Sequence, residues 1–158
     1  MGVETALLIT AMVGVGVTAY SQYKEGQDAA EAAKYNAKVS RRNAELEAVA
    51  IEQSGAVEAS QKRKEIKRLI STQKAKYGAA GIELTGSPLE VMIGTAAEGE
   101  LDAQIIEYNA KREAYATRYG AASQGIQYER AAEAYQTSGT LKAASTILTS
   151  ASKIRKEY

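Results

Sequence analysis

Apolar positions along the chain fall into three patterns, and each predicts a different element. From Thr5 to Tyr23 nineteen residues carry no formal charge, and Leu7, Leu8, Ile9, Met12, Val13, Val15 and Val17 make this the most hydrophobic stretch. Between Asp28 and Tyr77 there is no proline and one glycine, Gly55, and the dominance of Ala, Glu, Lys, Gln and Arg predicts a long helix, bent near that glycine. Its apolar residues recur three or four apart at Leu46, Val49, Ile66, Leu69 and Ile70, as a one-sided seam demands. Further on, Leu101, Ile105, Tyr108, Arg112, Tyr115, Tyr119, Ala122 and Ile126 keep a strict four-three spacing. That spacing is a coiled-coil seam with Arg112 as its polar member. Tyr128, Ala132 and Tyr135 resume it one residue out of phase.

The punctuation between the long stretches is sharp. Lys74 and Lys76 suit the end of a helix, and Gly78 is placed to stop it. Gly81 and Gly86 then keep the chain irregular, and Ser87, Pro88 and Glu90 read as N-cap, first helical residue and the third-position acid of a capping box. From Pro88 a second helix runs to about Ser138, with a break at Gly139 before a weaker helix that ends in Lys153, Arg155 and Lys156. Residues 1–23 are thus an apolar segment, 24–77 helix one, 78–87 a turn, and 88–158 helix two with a basic tail.

A turn of about ten residues makes sequential helices neighbours. The expected architecture is all-α: an elongated antiparallel hairpin with a coiled-coil seam and a short N-terminal apolar helix, assembled in an oligomer. Residues 28–77 alone would extend roughly 75 Å. A turn centred near Ile82 brings the N-terminal segment beside Ile147, Leu148 and Ile154, so both apolar ends lie together. It also sets Lys62, Arg63, Lys64, Lys67, Arg68, Lys74 and Lys76 against Glu90, Glu98, Glu100, Asp102 and Glu107. Exposed pairs of this kind fix register more than stability.

Composition supports this picture. Leu, Ile, Val and Phe total 28 of 158 residues, too few for a bulky globular core, while 20 basic residues nearly balance 19 acidic ones. Ten Tyr stand without any Phe or Trp, so every large aromatic has a polar end suited to a partly wet interface. One hairpin seam buries little, and neighbours in an assembly are expected to supply the missing contacts.

Three fates compete for residues 5–23: membrane insertion, a buried core helix, or a targeting signal. A bilayer needs about 20 apolar residues, so insertion would require thinning, oligomerisation or an interfacial position. Tyr20 and Tyr23 stand where an aromatic belt would be. The basic start of a signal peptide is missing, since Glu4 is the only early charge, and Ala6 spoils a myristoylation pattern.

No catalytic constellation is expected. Without Cys or His there are no thiolates, imidazole ligands or His-based triads, and neither a metal nor a cofactor is expected. Glu98, Glu100 and Asp102 point to different helix faces. Gly14-Val15-Gly16 lacks the rest of a dinucleotide fingerprint, and no Walker lysine follows Gly81 or Gly86. The basic run 62–76 has DNA phosphates as an alternative partner to the acids nearby.

The order of these features is similar to a known family. A Met-Gly start, an Ala/Gly/Val-rich apolar segment, a charged alanine helix, the turn Gly81-Ile82-Glu83-Leu84-Thr85-Gly86-Ser87-Pro88-Leu89, then Glu100-Leu101-Asp102-Ala103 and Asn109-Ala110-Lys111-Arg112-Glu113-Ala114-Tyr115 resemble the smallest internal core, or ejection, proteins of T-seven-like podophages. The resemblance covers nearly the whole chain. It implies a homo-oligomer stored in the capsid near the portal with other core proteins, released ahead of the genome into the host outer membrane and periplasm, where it helps form a channel through which DNA passes without sequence-specific binding. No catalytic residues come with it. A membrane-anchored coiled-coil scaffold or adaptor, and a secreted pore-forming toxin, share the apolar end and the heptads.

Overall fold

The computed structural model describes the backbone of residues 2–157 and the side chains of residues 13–153 and Arg155. Its two elements are helices, α1 (Gly2–Ala79) and α2 (Ser87–Glu157), and no strand occurs among the described residues. The all-α class expected from the pattern is found. Residue 23 marks no break in α1, which also runs on through Gly55, and Gly139 does not interrupt α2, contrary to the expected break.

Close packing explains both glycines. A Cβ at Gly55 would collide with the Ala110 methyl, and one at Gly26 would stand 2.8 Å from the Cα of Gly139. These glycines serve side-by-side approach of two backbones, at the usual helical cost of about 1 kcal/mol relative to alanine.

The turn is built differently from the sequence expectation. Gly81, at φ 68°, occupies the left-handed C′ position; its N–H donates to the Gly78 carbonyl at 3.1 Å, and the Ile82 N–H donates to the Tyr77 carbonyl at 3.0 Å. This pair of bonds is a Schellman motif, so Gly81 rather than Gly78 stops α1. At the other side Gly86, at φ 62°, takes the N-cap position: its carbonyl accepts the first helical bond, from the Glu90 N–H at 3.0 Å. Ser87 and Pro88 move inside the helix and Glu90 becomes its fourth residue, one place beyond a capping box.

Contacts divide the chain into two units, residues 42–120 and residues 1–41 with 121–158. Within residues 42–120 the arms run antiparallel, with Gly55 against Ala110 and Ile66 against Gly99, a register centred between Ile82 and Glu83. The buried residues here are small: Ala44, Ala48, Gly55 and Ala59 on α1, with Gly99, Ala103 and Ala114 on α2, and Met92 as the one larger member. Positions 44, 55 and 66, and 48, 59 and 70, repeat every eleven residues, as do 92, 103 and 114, and 99 and 110. An eleven-residue repeat corresponds to about 3.67 residues per turn, close to the natural helix period, so this inner row runs nearly straight along each arm.

The second unit uses the same packing. Ala19, Ala30, Ala33 and Ala37 are buried with Ala121, Gly125, Ala132 and Gly139. Polar bonds fix its antiparallel register: the Ser40 hydroxyl donates to Gln124 Oε1 at 2.7 Å, and the Thr146 hydroxyl donates to Gln22 Oε1 at 2.7 Å. Ile147 and Leu148 are exposed, and Ile154 lies outside the described side chains.

Candidate interaction surface

The expected seam residues do not lie between the arms. Leu101, Ile105, Tyr108, Tyr115 and Tyr119 are 57%, 47%, 61%, 68% and 65% exposed, and Ile126, in the other unit, is exposed as well. At about 100° per residue these positions fall nearly opposite the Ala103, Ala110 and Ala114 row. Small residues win the inner face because they allow two helix backbones to approach closely, which bulky side chains on the same face would prevent. Along the outward row the Arg112 guanidinium lies 5.9 Å from the Tyr108 ring centre, and the Tyr115 and Tyr119 rings stack with centres 6.3 Å apart.

Two arginine clamps edge the inner row within residues 42–120. Arg63 on α1 donates from Nε and Nη2 to Glu100 at 2.9 and 2.8 Å, and from Nη1 to Glu107 at 2.8 Å. On α2, Arg118 repeats the arrangement, donating from Nε and Nη2 to Glu45 at 2.8 and 3.0 Å, and from Nη1 to Glu52 at 2.8 Å. Hydrogen bonds from Arg118 hold the Glu45 carboxyl below its ordinary pKa, and those from Arg63 do the same to Glu100. Both guanidiniums are pushed upward in turn by the glutamates they bridge. Lys62 pairs with Asp102 at 3.1 Å, and in the other unit Arg41 pairs with Glu129 at 3.0 Å.

The clamps expose an internal repeat. Shifting α1 by 55 positions carries Glu45, Glu52 and Arg63 onto Glu100, Glu107 and Arg118, and eight of the nineteen positions 45–63 are identical to their counterparts in 100–118. A shallow groove between the arms is lined by Ile51, Ser54, Gly55 and Glu58 and by Ile106, Asn109, Ala110 and Glu113, again related by the same shift. The two arms therefore meet about a local pseudo-two-fold axis, each presenting the same inner code to the other.

Of the charge pairing expected from sequence, Lys62 and Arg63 find Asp102, Glu100 and Glu107. Lys64, Lys67, Arg68, Lys74 and Lys76 make no ion pair among the described residues, nor do Glu90 and Glu98. The Arg118 clamp and the Arg41 pair were missed, although the 55-residue repeat, visible in the bare sequence, would have revealed the first of them.

For the proposed membrane segment, Val13 and Val17 are each 61% exposed and Val15 is partly buried. The side chains of Leu7, Leu8, Ile9 and Met12 lie outside the described residues. Among the described residues no helix is long and apolar enough to cross a membrane, and no group of His, Cys, Asp or Glu side chains is arranged to hold a metal ion. Comparison with protein families, with curated proteins and with solved structures finds no match to this chain.

Proposed function

We propose that this chain is a structural protein that works in several copies, as an internal virion protein that a short-tailed phage stores near its portal and ejects into the host envelope, where it helps form a channel for DNA. One observation carries the multi-copy part. Among the described residues no large side chain is fully buried, whereas Leu, Ile, Val and Tyr side chains stand exposed along both helices. Apolar surface left in water weakens a lone chain and strengthens any assembly that covers it.

The resemblance of the turn at residues 81–89 and of the segment 100–115 to the podophage ejection proteins supports the viral reading. Backbone chemistry is compatible with it, since helices satisfy their own hydrogen bonds and pass from protein neighbours to lipid without exposing polar groups. The apolar start of α1 is the part proposed to meet lipid, lying in the interface or oligomerising there.

Quantitative mass spectrometry of intact and DNA-emptied particles tests the function. The chain should be present in the first and depleted from the second; equal amounts in both would refute ejection. A monodisperse monomer in light scattering would refute the multi-copy reading.

A further inference from the structure

We infer that the outward row of α2 is a self-complementary interface on which a second copy of this chain docks antiparallel, α2 against α2. The inference rests on the multi-copy reading and adds the surface, the partner and the orientation.

The internal repeat isolates what the hairpin itself needs. Both arms keep the inner code, because each must pack against the other, yet their outer rows differ. In α1 that row reads Leu46, Ala50, Gln53, Val57, Ser60, Lys64; in α2 the same positions read Leu101, Ile105, Tyr108, Arg112, Tyr115, Tyr119. On α1 the row keeps Leu46 and Val57 but is otherwise small or polar, whereas on α2 it adds Ile105 and three tyrosines. The aromatic row on the other answers to something beyond the hairpin.

Its spacing says what kind of partner. The inner row repeats every eleven residues, but the outer row keeps a period of 3.5, the period at which a helix wraps a second helix in a left-handed supercoil. Ala122 and Ile126 continue that spacing in the sequence. Covering the exposed parts of Tyr108, Arg112, Tyr115 and Tyr119 would bury about 500 Å² per partner, about 1,000 Å² for a pair, at the lower edge of specific interfaces.

Self-complementarity picks the second copy and its direction. Read antiparallel about a point between Glu113 and Ala114, Arg112 meets Tyr115 of the second copy and Tyr108 meets Tyr119, all four lying within residues 42–120. Each guanidinium then gains an aromatic face. A parallel pair in register would instead set Arg112 against Arg112, like charges at an interface core.

The chain has no cysteine, which makes cross-linking on the full-length protein unambiguous. Under mild oxidation Arg112→Cys should form a disulfide-linked dimer, because the two copies of residue 112 lie near the axis. Leu101→Cys alone should not, its two copies being roughly 37 Å apart, but a mixture of Tyr108→Cys and Tyr119→Cys should give the mixed dimer. Exchanging the row for its α1 counterparts, Tyr108→Gln with Tyr115→Ser and Tyr119→Lys, should abolish the pair in sedimentation while circular dichroism keeps full helicity. Leu101→Cys cross-linking as readily as Arg112→Cys would overturn the orientation. Assemblies that survive the triple exchange would overturn the interface and leave the multi-copy reading standing. Flotation with zwitterionic vesicles that is lost only in the triple exchange would assign the row to lipid instead.

Discussion

Arg63 on α1 and Arg118 on α2 are counterparts: each bridges two glutamates seven residues apart on the opposite helix, and the two clamps are superposed by a shift of 55 positions. Equivalent geometry implies equivalent loss. Arg63→Ala and Arg118→Ala should each lower the thermal midpoint by a similar, small amount, with Arg→Lys recovering only part because a point charge lacks the planar fork that spans two carboxylates. Since the clamps are partly solvent-exposed, 1 M salt should shrink both effects. Thermal denaturation followed by circular dichroism checks this, and one variant unfolding far below the other would break the equivalence.

Glu45 and Glu100 are expected to contribute to the acid side of the stability profile. Their folded-state pKa values are held below the ordinary value of 4.5, chiefly by hydrogen bonds from Arg118 and Arg63. Unfolding releases them to the ordinary value, so the unfolded chain binds more protons and their contribution to stability is fully present above about pH 4.5. It is lost as pH falls through the depressed folded-state values. The thermal midpoint should therefore drop between pH 5 and pH 3, and Glu45→Gln with Glu100→Gln should flatten that slope while lowering the plateau near neutrality. An unchanged slope in the double variant would mean that other carboxylates carry the acid response.

Glycine placement makes a sharper test of the inner row. At Gly55 an added methyl would strike the methyl of Ala110, whereas at Gly94 and Gly120 it would meet open space. Gly94→Ala and Gly120→Ala should each stabilise by up to about 1 kcal/mol through helix propensity alone. Gly55→Ala should destabilise by about 1–3 kcal/mol despite that gain, because the arms must separate. Adding Ala110→Gly moves the methyl to the other arm and should restore most of the loss. If the double exchange were no better than Gly55→Ala, the close approach at this position would not be what limits packing.

How much of this was legible beforehand differs by level. Two long helices and an irregular stretch near Ile82 followed from the absence of helix breakers elsewhere and from the glycine cluster between Gly78 and Gly86. The inner face was misjudged, because hydrophobic periodicity weights Leu, Ile and Tyr and passes over alanine. In a chain this rich in alanine the buried row is the small-residue row at eleven-residue spacing, and the heptad of Tyr108, Tyr115 and Tyr119 is left outside. Gly139 looked like a break for a related reason: a lone glycine in sequence does not say whether it ends a helix or admits a neighbour. The turn was misplaced by only one to three residues, since Gly78, Gly81 and Gly86 are equivalent in sequence and only φ separates them.

The apolar start of α1 yields the last prediction. Val13 and Val17 are exposed, so aspartate at both positions should leave the packing of this helix intact. The same substitutions act strongly on transfer to lipid, where each charge costs about 2.5–3.5 kcal/mol at a bilayer centre and less near the interface. Val13→Asp with Val17→Asp should thus weaken liposome association on the order of a hundredfold or more in a flotation assay, with helicity and sedimentation unchanged. Replacing the same valines with alanine should reduce binding only modestly, since it removes apolar area without adding charge. If the aspartate variant floats as well as the parent chain, the membrane-seeking role of this segment is refuted. If it instead loses helicity, Val13 and Val17 serve packing, and the row from Leu7 to Val17 belongs to an assembly interface and not to lipid.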